Sequence, residues 1–386
     1  MMKQKIQKPT RHFGQGPLPD ADVRLFEAPE HSMEKQSRYD RLRSEIITRI
    51  EKQGIPLKNW DVVINNGITT GFNNAFIIDG KSKNRLAQAP KDAELLKPVL
   101  TGKDIKKWTT DFKDQWLIGT FPSLHLDIDQ YHGTKEYLSN YRERLEPMPK
   151  GFKGDWKGRK AGSYKWFETQ NTTAYHKNFE KPKIIWPHLT PNPEFALDTE
   201  HFYLTAPSNL LTMKNTTHPQ EIKYLLALLN SEISDYYMRQ TGRRREGDCI
   251  EYKKISVEKI PIIRISPSEQ ELFITLADYI LFLKKIESTL PTAKDRVMSS
   301  FFEQMTDGGV YELYFEESLK DAGKDILKYL DDLPALTPAA SQEETLALIR
   351  TVFTRLYDRE HPVRQRLYYL ESVREVRIVK GLEVHA

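Results

Sequence analysis

The chain has 386 residues, of which 39% are hydrophobic and 11% aromatic, enough for a sizeable core and too much for wholesale disorder. No run approaches the roughly 18 apolar residues of a membrane span, MMKQKIQKPTRHFGQG has no secretory-signal apolar segment, and one cysteine, Cys249, excludes a disulfide framework or cysteine-rich metal cluster. A cytoplasmic protein without a membrane partner is expected. The net charge is only +4, but residues 266–386 hold 15 basic against 21 acidic residues, while residues 1–265 hold 43 against 33. A basic body joined to an acidic tail points to an anionic partner for the body, nucleic acid foremost.

Residues 1–38 mix Gly, Pro and charge without periodicity and read as a flexible leader. From Tyr39, the spacing of Leu42, Ile46, Ile47 and Ile50 predicts a helix that Gly54 and Pro56 stop. Short β-like runs follow at Val62–Ile64, Phe76–Ile78, Trp116–Ile118, Ile184–Trp186 and Phe202–Leu204, separated by turn residues, as in a mixed or antiparallel sheet. Lys150–Lys165, KGFKGDWKGRKAGSYK, is a loop by composition. Thr217–Gln220 has the form of a capping box, and Ile222, Leu225, Leu226, Leu229, Ile233, Tyr236 and Tyr237 predict one helix running to Gly242. A second basic loop, Arg239–Lys254, precedes the β-like Lys259–Ile263. Beyond Pro267 the pattern is helical, with caps at Ser268-x-x-Glu271 and Ser341-x-x-Glu344 and a linker at 331–340. The fold class is α+β: a mixed-sheet domain over 39–265 with packed helices, then an all-helical module over 266–386.

Several chemistries lack their motifs. There is no G-x-x-x-x-G-K-[ST] loop, no H-E-x-x-H, no paired Cys-x-x-Cys and no G-x-S-x-G. Amino-group DNA methylation needs a Gly-rich cofactor loop and an Asn/Asp-Pro-Pro-aromatic tetrapeptide; the nearest string, Pro191–Glu194, has the wrong order. A metal nuclease of the acid…Glu-x-Lys kind finds only Glu251 and Lys253, with Asp248 or Asp235 upstream, a triplet that chance supplies in a chain with 29% charged residues. His125, His176 and His188 fit structural hydrogen-bonding roles, and Cys249 fits an incidental thiol. No autonomous catalytic site is expected.

The positive signal lies in the basic loops. Lys150, Lys153, Lys157, Arg159, Lys160 and Lys165 interleave with Phe152, Trp156 and Tyr164, and Arg243, Arg244 and Arg245 follow a helix-ending glycine. Glycine lets a backbone approach phosphates, arginine pairs bidentately with phosphate or guanine, and aromatics offer stacking surfaces.

The segment Asn66-Gly-Ile-Thr-Thr-Gly-Phe-Asn-Asn-Ala-Phe-Ile-Ile-Asp79 resembles the GIKTGxNxAFIID signature of the C-terminal target-recognition region of TaqI-like adenine-specific DNA methyltransferases and fused type IIG restriction–modification enzymes. Ile55–Asp61 resembles the stretch that precedes this signature in the family, and Leu96–Ile105, Phe179–Pro187, Tyr224–Glu232 and Val257–Ile262 resemble elements that follow it. Phe301–Phe315 resembles the helical tail found after the region, all in consistent order over roughly residues 45–320. Two departures stand out. The catalytic domain that usually precedes this region has only about 40 residues of room here, and Thr69 stands where the family often has Lys.

The resemblance implies target recognition, with catalysis in a partner. That partner, a methyltransferase or restriction subunit or domain, would carry S-adenosylmethionine and, for cleavage, Mg²⁺, and the shared ligand would be double-stranded DNA. The expected DNA contacts are Lys157, Arg159, Lys160, Arg243, Arg244, Arg245 and Lys253, with Thr70 and Asn73 from the turn. The alternative is a non-catalytic protein-interaction module, or a truncated remnant without DNA binding.

Overall fold

The computed structural model describes residues 30–382 apart from 172, 216 and 291, with side-chain burial from residue 40 onward. The described residues divide into two units, one up to Ser44 and one from Glu45 onward. Most of the expected leader lies outside the described residues. The described part opens in a helix, α1 (Glu30–Gln53), which starts well ahead of Tyr39, the beginning expected for it.

Gly54 ends α1 for two reasons. Its N–H closes the last turn on Ile50 O at 2.9 Å, and a β-carbon there would lie 2.6 Å from the Pro261 backbone. That close approach lets Ile55–Pro56 pair antiparallel with Pro261–Ile262.

Eight strands build two sheets: β1 (Val62–Asn66), β2 (Ile77–Asp79), β3 (Leu96–Leu100), β4 (Gln115–Ile118), β5 (Lys183–Pro187), β6 (Ala196–Asp198), β7 (Tyr203–Leu204) and β8 (Ser208–Met213). The first sheet has the order β6-β5-β8-β1, antiparallel throughout. The second has the order β7-β3-β4-β2 and is mixed, because β7 runs parallel to β3. One apolar cluster joins them. Ile185, Ala196 and Leu210 come from the first sheet, and Ile78, Val99, Leu100, Leu117, Ile118 and Leu204 from the second. Tyr203 is stacked between Phe121 and Phe179, at ring distances of 5.9 and 4.8 Å.

The helices refine the sequence reading. In place of one helix up to Gly242 there are two, α2 (Glu221–Leu229) and α3 (Glu232–Thr241). The break is built from side chains: the Asn230 amide exchanges two hydrogen bonds with the Phe195 backbone, and Ser231 caps α3 through the Ser234 N–H. No side chain caps α2, so the capping box expected at Thr217–Gln220 does not form.

After Pro267 every regular element among the described residues is helical: α4 (Pro267–Lys285), α5 (Ala293–Asp321), α6 (Gln342–Leu356), then Pro362–Tyr368 and Arg374–Val379. The box capping α4 is Ser266 with Glu269, two residues before the expected pair, because Pro267 takes the first helical position, where its missing N–H costs nothing. Ser341 and Glu344 cap α6 as expected. With 50% helix and 15% strand in segregated stretches, the fold is α+β. No helix among the described residues is long and apolar enough to cross a membrane.

Candidate nucleic-acid interface

The site begins where β1 runs out. Beyond Asn66 the chain makes a turn pinned from below, with Gly67 N and Ile68 N each donating at 2.7 Å, to Ser208 O and Leu204 O. At Gly71 the backbone adopts φ +80°, and a β-carbon would lie 2.6 Å from Gln170 Oε1 and 2.7 Å from Arg159 Cδ; both the conformation and the space require glycine. The exposed outer edge of the turn carries Asn66, Asn73 and Asn74. Thr70, expected to touch DNA, is only 1% exposed. Its hydroxyl accepts the Phe72 N–H at 3.2 Å and donates to Asn73 Oδ1 at 2.6 Å, so its part is to orient a neighbour.

Arg159 departs furthest from expectation. At 3% exposure, it donates to five carbonyl oxygens: Leu145 (2.8 Å), Thr70 (2.9 Å), Glu168 (2.6 Å), Lys165 (3.1 Å) and Trp166 (2.9 Å). Its guanidinium also lies 4.4 Å over the Tyr164 ring. Burial draws its pKa down to about 10, which still leaves it charged at neutral pH. With its donors spent on carbonyls it holds the loop to the turn.

Lys160 is exposed, and its ammonium has no partner among the described residues. Lys157 is exposed and 3.3 Å from Glu143, with both side chains over 70% accessible, so the pair is weak. Of the loop's aromatics, Phe152 is exposed, Tyr164 is buried, and Trp156 donates its indole N–H to Glu146 O.

The second loop is organised by Glu251. Its Oε1 is 2.5 Å from Arg245 and its Oε2 is 3.0 Å from Lys253; these two cations hold its carboxyl below the usual range, Lys253 first. Both oxygens of Glu251 are thus engaged by cations. Asp235 is likewise engaged by Arg239 at 2.9 Å and by the Tyr252 hydroxyl at 3.2 Å. Among the described residues no three His, Cys, Asp or Glu side chains are grouped so as to hold a metal ion. In the Pro191–Glu194 string, Asn192 Oδ1 accepts from Arg239 at 3.2 Å.

Arg243 is exposed without a side-chain partner among the described residues, Arg244 reaches only Arg239 O at 3.4 Å, and Lys254 is exposed beside Lys253. His188 bonds Asn209 Oδ1 at 2.9 Å and His176 Nδ1 lies 3.3 Å from Thr173 O, both structural as expected, whereas His125 is exposed at a left-handed φ of +50°. Cys249 is a free, half-buried thiol.

The turn brings the two loops to one place. Asn66 shares a cavity of about 300 Å³ with His188, Lys253, Lys254, Ile255 and Glu258, while four residues on, the Thr70 carbonyl is bound by Arg159. Four residues of chain span at most about 14 Å, which is within the reach of one duplex groove and its flanking phosphates. Sequence reasoning missed Asn66, Lys254 and the 63%-exposed Ile255. Lys254 was legible beside Lys253 and Asn66 opens the motif quoted above, but Ile255 had no local signal.

Residues 97–262 match the family described as the TaqI-like C-terminal specificity domain, so over that segment the likeness read from the motifs is shown. Among solved structures, the chain is similar to that of the Type IIL restriction–modification enzyme MmeI in complex with DNA, at 12% identity and a TM-score of 0.42, covering 76% of this chain. The chain spans 35% of the length of that structure. A comparison with the curated proteins found no match.

Proposed function

We propose that this chain recognises a duplex DNA target on behalf of a restriction–modification system. One observation carries the reading: the specificity-domain match encloses both basic loops, and those loops flank a single exposed turn. Lys160, Arg243, Arg244 and Lys254 grip phosphates, which raises affinity without specificity, while other side chains of the interface read base edges. Lys157, Arg245 and Lys253 add to the field while paired to carboxylates.

The finer reading rests on the motif resemblance. In it the system is of the type IIG kind and methylates adenine N6. A catalytic subunit or domain supplies S-adenosylmethionine, and Mg²⁺ where cleavage occurs. The residues of this chain bind and orient the duplex so that the partner can extrude the adenine.

The test is selection of the purified chain against a random duplex pool at two salt concentrations, followed by sequencing. One enriched motif, lost in R243A/R244A, is the expected result. Absence of binding at low salt would overturn the proposal.

A further inference from the structure

The turn between the loops is wired in one direction. Thr70 Oγ1 accepts the Phe72 N–H and donates its single hydrogen to Asn73 Oδ1. That bond fixes which end of the Asn73 amide faces the protein. Oδ1 points inward and Nδ2, with two donor hydrogens and no partner among the described residues, is left for solvent on an exposed side chain. Thr70 is itself held through its carbonyl by Arg159 at 2.9 Å.

The surroundings are of one kind. Arg144 is exposed and lies over the Phe72 ring at 5.2 Å, and Lys160, exposed next to Arg159, has no ammonium partner among the described residues. Two of the acids nearby are engaged, Glu146 with Arg142 at 2.8 Å and Glu168 with Lys165 N at 2.6 Å, while Glu143 is exposed and only loosely paired with Lys157. The outward face of this part of the site therefore offers donors with little competition from acceptors. A phosphodiester offers only acceptors.

We propose that Asn73 is a neutral phosphate anchor for the DNA backbone, with Thr70 and Arg159 as the positioning residues that present its amide N–H groups. The proposal rests on the DNA-binding reading above and deepens it, since it assigns this turn to backbone contact and leaves base readout to other side chains. Asn73 carries no charge, so it adds affinity without releasing a counterion, unlike Lys160 or Arg144.

The experiment uses the full chain, a fluorescent duplex of random sequence and the enriched duplex, titrated across a salt series. N73A is expected to weaken binding to both duplexes alike, by about 10-fold, with the slope of log K against log salt and the preferred sequence unchanged. K160A, by contrast, lowers the slope by about 0.9. T70V should reproduce the N73A loss and T70S should restore wild-type affinity, a rescue that a general loss of packing would not give. Because Asn73 is exposed, unfolding of N73A should match wild type.

Wild-type affinity in N73A would overturn the proposal. So would a changed base preference at one position, which would make Asn73 a base reader. Wild-type chain that fails to bind either duplex at low salt would overturn the DNA reading and this proposal together, whereas normal wild-type binding with an unaffected N73A would overturn the proposal alone.

Discussion

Lys183 and Asp198 form an ion pair sealed from solvent. Nζ lies 2.5 Å from Oδ2, both side chains are fully buried, and the two residues are register partners across β5 and β6. The lysine also donates to Phe179 O, and Asp198 Oδ1 accepts the Glu200 N–H. Burial pulls the Lys183 pKa down against the opposing pull of Asp198. Such a pair is a weak net stabiliser, but each half depends on the other.

Lys183→Met should therefore destabilise the fold by about 3–5 kcal/mol, because Asp198 is left as an uncompensated buried charge. Adding Asp198→Leu should recover most of that loss. Urea unfolding of the single and double variants measures both, and a single variant as stable as wild type would refute the assignment.

Arg159 and Lys160 are adjacent cations with opposite work, and substitution should separate them. Arg159→Ala leaves five carbonyls short of a donor, two of them on Thr70 and Glu168, and should lower stability by several kcal/mol. Lys160→Ala should leave thermal unfolding unchanged and reduce only the affinity for DNA. Equal unfolding temperatures for the two variants would contradict the geometry.

Asp295 caps α5 and receives a two-pronged bond from Arg350, Nε to Oδ1 at 2.8 Å and Nη2 to Oδ2 at 2.9 Å. Its carboxyl is held down to about 2, with the Arg350 bond as the largest cause. A depressed folded-state pKa means stability that is present above about pH 4 and lost as pH falls through 4 towards 2. The contribution is no more than about 2 kcal/mol, since Arg350 is half-exposed and screened. The stability gap between wild type and Arg350→Met should close over that window in urea titrations at stepped pH.

Gly71→Ala should cost about 1–3 kcal/mol, through the left-handed backbone and the overlap with Gln170 and Arg159. It should also weaken DNA binding, because the same turn carries Asn73. Calorimetry and the duplex titration read the two effects separately.

What the sequence made legible follows from where each signal resides. Ile184–Trp186 and Trp116–Ile118 announced strands because their side chains are β-branched or bulky. Ser208–Met213 did not, since Asn209 interrupts it, and that residue makes sense only once Tyr252 O and His188 are in reach. The break at Asn230 hid for a similar reason, its partner Phe195 lying 35 residues away. Arg159 was visible as a cation in a Gly- and Lys-rich loop. Its burial depends on carbonyls from residues 70, 145 and 165–168, a convergence with no local trace. Charge patterns expose where cations are, whereas tertiary contacts decide which of them are free.

The pairing of Ile55–Pro56 with Pro261–Ile262 has a wider consequence. Antiparallel register partners sit about 5 Å apart, so the chain leaves this two-sheet body almost at the point where it came in. A stretch with a single doorway can be excised and grafted into another host at one suture, without resetting the distance between the flanking helices. The stretch between the two register pairs is therefore exchangeable as one block.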